Sequence, residues 1–96
     1  MVINVTALMQ VRERLGWSTK AIEFQGRTLL DFLKHVVTQD GASLHALFVQ
    51  EDGSISPEYA VWMNCRPVKP ATSLEIPLQS GDRIIVMPVL KFRVGG

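Results

Sequence analysis

Ninety-six residues, 47% of them apolar, with a net charge of +1, describe one small domain able to bury a core. Such a chain is small for an enzyme with its own pocket, and its scattered charges form no basic stripe for nucleic acid. No apolar run reaches the length of a membrane span, and the N-terminus has neither the basic start nor the cleavage site of a signal peptide. Cys65 is the lone cysteine, which rules out an internal disulfide and points to a reducing compartment, so a soluble cytoplasmic protein is expected.

Residues 2–8 alternate, with Ile3, Val5 and Ala7 on one side and Asn4 and Thr6 on the other, the period of a half-buried strand. Leu8 falls on the polar side. Residues 9–16 read as a short helical turn or loop, and 19–24 as a second strand forming a hairpin with the first. A helix then begins at Thr28, whose hydroxyl suits the cap, with Asp31 three residues on to meet the N-terminal dipole. Leu29, Leu30, Leu33, Val36 and Val37 form its apolar stripe, and Gln39, Asp40 and Gly41 its end, with Gly41 as the left-handed residue.

Residues 44–49 fit a short helix or a strand, and 51–54 a turn. A third strand spans 59–64, with Val61 and Met63 on one side and Trp62 on the other; Cys65, Arg66 and Pro67 turn the chain, and Val68 starts a short return strand. Residues 70–73 read as loop and 74–78 as a helical turn or irregular chain broken by Pro77. Ser80, Gly81 and Asp82 turn into the last strand, 83–89, where Ile84 and Val86 share one face and Ile85 and Met87 the other. One helix cannot cover both faces of a parallel sheet, so the class is α+β, a mixed sheet with one main helix packed on one face. That element order is the order of the β-grasp, or ubiquitin-like, fold.

Three pieces of the chain resemble the MoaD/ThiS group of β-grasp sulfur carriers, and above all the small subunit of molybdopterin synthase. Residues 10–16, QVRERLG, resemble the QVREL-x-G segment of those subunits. Met63 and Asn64, followed by Pro77, Leu78, Gly81, Asp82, Arg83 and Ile84, resemble their VN…PL-x-DGDEV stretch. Pro88 and Val89 with the final Gly95 and Gly96 resemble their PPV-x-GG ending. Two departures stand out: residues 90–94 lengthen the tail, and Cys65 stands where glycine often follows the strand asparagine.

The resemblance implies a β-grasp domain over residues 1–90 and a flexible tail over 91–96. The Gly96 carboxylate is then the reactive group, adenylated with ATP by a ubiquitin-activating-type adenylyltransferase. A cysteine desulfurase or rhodanese supplies sulfur, and the resulting thiocarboxylate serves a molybdopterin synthase large subunit or an equivalent acceptor. The chain is then a carrier and not an enzyme, with no bound cofactor, no metal, and no nucleic-acid or membrane partner. Lys91, Phe92, Arg93, Val94 and Gly95 thread the partner's active site; at about 3.3–3.6 Å per residue the six residues after Leu90 span roughly 20 Å. Glycine's missing Cβ suits a narrow passage.

Leu8, Trp62, Ile85 and Met87 fall on the sheet face away from the expected core. They form either a docking patch for the partner or a surface covered by the loop 43–57. The longer tail also suits a ubiquitin-like modifier joined to lysines through Gly96, and a ThiS-like carrier for thiazole synthesis is a further alternative. Cys65, His35 and His45 form no metal-ligating pattern.

Overall fold

The computed structural model describes residues 1–69 and 74–89. Eight elements run in order: β1 (Val2–Ala7), α1 (Met9–Leu15), β2 (Thr19–Glu23), α2 (Leu29–His35), α3 (Leu44–Phe48), β3 (Tyr59–Met63), β4 (Arg66–Pro67) and β5 (Arg83–Pro88). The strands form one mixed sheet in the order β2-β1-β5-β3-β4. β1 and β5 run parallel at its centre, with Val5 beside Ile84 and Ala7 beside Val86; the other pairs are antiparallel.

Alternation decides which face is buried. Ile3, Val5 and Ala7 of β1, Val61 of β3, and Ile84 and Val86 of β5 all turn into the core, where Leu29, Phe32 and Leu33 of α2 and Leu44 and Phe48 of α3 meet them. The helical layer is therefore α2 with α3, and α1 adds Val11 and Leu15, one turn apart, at one end. Among the described residues the expected helix is α2, and the stretches read as a helical turn or loop (9–16) and as a short helix or strand (44–49) form the short helices α1 and α3. β1 and β2 pair antiparallel as expected, but through α1 and not as a simple hairpin. Gly16 closes α1 with φ 85°, and its N–H donates to the Arg12 carbonyl at 2.9 Å.

The start of α2 follows the sequence. Thr28 Oγ1 accepts from the Asp31 N–H at 3.2 Å. The N–H groups of Leu29 and Leu30 donate to the carbonyls of Ile76 and Leu74, each at 2.9 Å, so segment 74–78 satisfies the helix terminus and is held in irregular, extended form. Its Leu74 and Leu78 plug the core.

The end of α2 is a correction. The helix stops at His35, and Val36 is already extended at φ −82°, ψ 125°. Leu44 N–H bonds the Val36 carbonyl at 2.9 Å and Thr38 N–H the Ala42 carbonyl at 2.8 Å, so bonds to the returning chain replace further helical turns after two β-branched residues. Val37 is consequently exposed, and Gly41, at φ 90°, serves the turn from Thr38 and not a helix end. Asp40 accepts from the Thr38 hydroxyl and lies 3.6 Å from Arg14 Nη2. The Thr38 bond chiefly, with backbone N–H bonds and Arg14, holds its carboxyl below the usual carboxylate range. A depressed folded pKa gives stability that is full above the unfolded value of about 3.9 and is lost as pH falls through the lower folded one. Melting curves of wild type and Asp40→Asn should thus differ at neutral pH and converge under acid.

Ser43 caps α3, accepting from the Ala46 N–H at 3.0 Å. The 43–57 loop buries Leu44, Phe48 and Ile55 on the helix side of the sheet, and the Phe48 ring stacks on Tyr59 at 4.4 Å. The return strand starts earlier than Val68, because Asn64 and Cys65 make a two-residue turn and Met63 already pairs with Arg66. Residues 70–73, expected as loop, lie outside the described residues.

Both turn residues are left-handed, Asn64 at φ 52° and Cys65 at φ 67°, a primed hairpin turn whose second position favours glycine. Cysteine there bears a Cβ penalty that exceeds glycine's extra chain entropy, so Cys65→Gly should stabilise the fold by about 0.5–1 kcal/mol. Urea unfolding checks this; an unchanged midpoint would remove the strain argument.

Candidate docking face and the root of the tail

The sheet face opposite the helices carries the odd-numbered side chains of β5 and the even-numbered ones of β3. Ile85 sits opposite Trp62, and Met87 opposite Ala60. Beyond the end of β1, Leu8 is held in extended form by its N–H bond to the Val86 carbonyl at 3.0 Å, which places it beside β5 and 38% exposed. Leu8, Met9, Arg12, Trp62, Met87 and Val89 then line an open groove of about 620 Å³.

Of the four residues read from sequence as a patch, Leu8, Trp62 and Met87 share the groove. Ile85 lies on the same face, half-buried between Thr6 and Trp62, outside the groove's lining. The loop 43–57 packs on the other side of the sheet and leaves the groove open among the described residues. Alternation puts Leu8 on the outer side of β1, and it lies there, one residue beyond the strand's end at Ala7.

Met9, Arg12 and Val89 were missed. Met9 starts α1 at φ 57°, a left-handed conformation that costs a side-chain-bearing residue roughly 1–3 kcal/mol, and strain of this kind gathers at working surfaces. Its position follows from the sharp change of direction between β1 and α1, which the one-dimensional pattern does not express. Among the described residues Arg12 supplies the groove's one guanidinium, on the exposed side of the helix whose Val11 and Leu15 are buried. A signal for Met9 was available: an exposed apolar pair, Leu8 and Met9, just ahead of an amphipathic turn.

Val89 is the last residue described before the tail, anchored by its N–H bond to the Glu58 carbonyl at 2.8 Å. The expected threading residues Lys91, Phe92, Arg93, Val94 and Gly95, and the reactive Gly96, lie outside the described residues. The groove's lining therefore includes Val89, the last of the described residues.

At the far end of β5, the remaining motif residues act on the fold. Asn64 accepts from the Arg83 N–H at 2.9 Å and donates to Asp82 Oδ1 at 3.0 Å, while Asp82 Oδ2 accepts from the Gln79 N–H at 2.8 Å. Asn64 and Asp82 thus clamp the turn that launches the central strand against the β3–β4 turn. Among the described residues no three of His, Cys, Asp and Glu converge as metal ligands would, and no helix is long and apolar enough to cross a membrane.

No protein-family model and no curated protein sequence matches the chain. Solved structures do. SAMP1 from Haloferax volcanii superposes with a TM-score of 0.69 over 100% of both chains at 18% identity. A chain of the Amycolatopsis orientalis BexX/CysO complex gives 0.69 at 23% identity, over 95% of this chain and 99% of its own. A Pyrococcus furiosus protein assigned as molybdopterin converting factor subunit 1 gives 0.67 at 20% identity, over 94% and 99%. This chain has the β-grasp fold. The three matches run nearly end to end in both directions.

Proposed function

We propose that this chain is a ubiquitin-like sulfur carrier that works through its Gly95–Gly96 end. The observation that supports the reading is an open apolar groove lined by Met87 and Val89, at the end of the central strand of a β-grasp sheet. An adenylating partner of the ubiquitin-activating type docks there and receives the tail. ATP converts the Gly96 carboxylate into an acyl-adenylate with release of pyrophosphate. A persulfide sulfur from a desulfurase or rhodanese displaces AMP, and a thiol reduces the acyl disulfide to the thiocarboxylate. A carboxylate resists attack until one oxygen becomes a good leaving group, which is what covalent activation supplies.

The finer reading is sulfur donation in molybdopterin synthesis, with a synthase large subunit as acceptor. Its support is the VN…PL-x-DGDEV-like stretch and the fold shared with molybdopterin converting factor subunit 1. A second reading has its own observation: the end-to-end fold match to a small archaeal modifier protein, together with the longer tail 90–94, suits conjugation of Gly96 to lysines.

The test is intact-mass spectrometry after incubation with ATP, a cognate adenylating enzyme and a sulfur donor. A gain equal to one oxygen exchanged for sulfur supports the carrier. Adenylation without sulfur, accompanied by conjugate ladders in lysate, supports the modifier, and no change with an active cognate enzyme overturns both.

A further inference from the structure

The sheet has two edges of very different character. β4 is two residues long and ends in Pro67, which has no N–H to offer, so that edge is blunted. β2 is five residues long and pairs only with β1 among the described residues.

The register shows which of its backbone groups are free. Met1 and Phe24 exchange both backbone bonds, at 2.9 and 3.0 Å, and Ala7 N–H bonds the Ser18 carbonyl at 2.8 Å. Alternation along an antiparallel ladder then turns the N–H and C=O of Lys20 and Ile22 toward β1, and those of Thr19, Ala21 and Glu23 outward. All three of these residues are exposed.

Beside this edge runs a second groove, of about 260 Å³, between β2 and the end of α2. Trp17, Ile22, Val36 and Val37 give it apolar walls, and Lys20 and His35 stand in its lining. It is smaller than the roughly 300–1,000 Å³ of ordinary small-molecule sites and better matched to the side chains of a peptide. Val37 is 52% exposed there because α2 stops early. Lys20 has no ion pair among the described residues; its ammonium rests 5.9 Å from the Trp17 ring centroid. The carboxylate of Glu23, the acid in this lining, is engaged by the Met1 amino group at 3.6 Å.

From this edge and groove we infer that β2 binds an extended acidic and apolar peptide segment of a partner protein by strand addition. The outward groups of Thr19, Ala21 and Glu23 take its backbone, the groove takes its aliphatic side chains, and Lys20 takes a carboxylate. Lys20 also decides against the obvious rival, a second copy of this chain. Antiparallel self-pairing about Ala21 sets Lys20 opposite Ile22, leaving each ammonium without a carboxylate opposite. A lysine facing inward on an edge strand discourages indiscriminate pairing while admitting a partner of the right charge. The inference does not depend on the chemistry of Gly96.

The test uses the full chain and a synthetic fluorescent peptide, a run of valine and isoleucine followed by glutamates, titrated by anisotropy. Saturable binding is expected, weakened about tenfold by Lys20→Glu and about tenfold by Ala21→Pro. Proline at this position removes an outward N–H and leaves the bonds to β1 intact, so its melting curve should match wild type. A peptide with lysines replacing the glutamates should bind at least about tenfold more weakly. No saturable binding to wild type, or binding indifferent to both substitutions, overturns the proposal. So does concentration-dependent dimerisation abolished by Ala21→Pro without peptide binding, which would assign the edge to a second copy.

Discussion

Appending a single alanine after Gly96 is expected to abolish thiocarboxylate formation while leaving the melting curve unchanged. The addition moves the reactive carbonyl carbon along the chain by roughly 3.3–3.6 Å and places a Cβ where the passage is suited to glycine. Misplacement of a reacting atom by about 1 Å already costs on the order of 100-fold, so a shift of a whole residue should exceed that. The wild-type protein, the alanine-extended variant and a Gly96 deletion are compared by intact mass after incubation with ATP, adenylating enzyme and sulfur donor. Pyrophosphate exchange, followed in parallel, reports whether the adenylate forms at all. Sulfur incorporation by the extended variant at the wild-type rate would show that Gly96 is not the acceptor. Loss of sulfur with a retained adenylate would locate the defect after activation and still assign the reaction to this end.

The strands were legible because their pattern is local. Ile3, Val5 and Ala7, and Ile84 and Val86, alternate cleanly, and every one of them is buried where period two puts it. The cap of α2 was legible for the same reason, since Thr28 and Asp31 meet within one turn. Its end was not. Propensity alone carries the helix on through Val36 and Val37, and what stops it is a pair of bonds to residues 42 and 44, which no window centred on the helix contains. Segment 74–78 was ambiguous on the same ground: its conformation follows from the free N–H groups of a helix more than forty positions earlier, read here as the bonds from Leu29 and Leu30.

The candidate site divides similarly. Trp62, Ile85 and Met87 were assigned to the outer face by alternation, and they lie there. Whether the loop 43–57 covered them was undecidable from spacing; Phe48 decides it by stacking on Tyr59 on the opposite face. Met9 and Arg12 reach the groove through the β1–α1 bend, a three-dimensional feature marked only by a positive φ. The tail residues 91–96 lie outside the described residues, so their part rests on chemistry and resemblance.

Replacing Trp62 with aspartate is expected to lower kcat/KM for adenylation by about 30-fold or more while the domain stays folded. Tryptophans in apolar pockets are the commonest hot spots of protein interfaces, each worth about 2 kcal/mol or more when lost, and 1.4 kcal/mol is a factor of ten. Trp62 is suited to that role because it is half-buried beside Met87 and Leu8 and belongs to no part of the core. Its strand neighbour Val61 provides the contrast. At 1% exposure, Val61→Asp buries a carboxylate in the core and should unfold the protein, whereas Trp62→Asp places its charge in an open groove. The loss should appear in KM, since a docking residue far from the reacting carbon contributes binding common to ground and transition states. Steady-state adenylation across a range of carrier concentrations separates the two parameters. A wild-type KM in the folded Trp62→Asp variant would show that the partner docks elsewhere. A fall in kcat at constant KM would mean that this face orders the tail for reaction and does not recruit the partner.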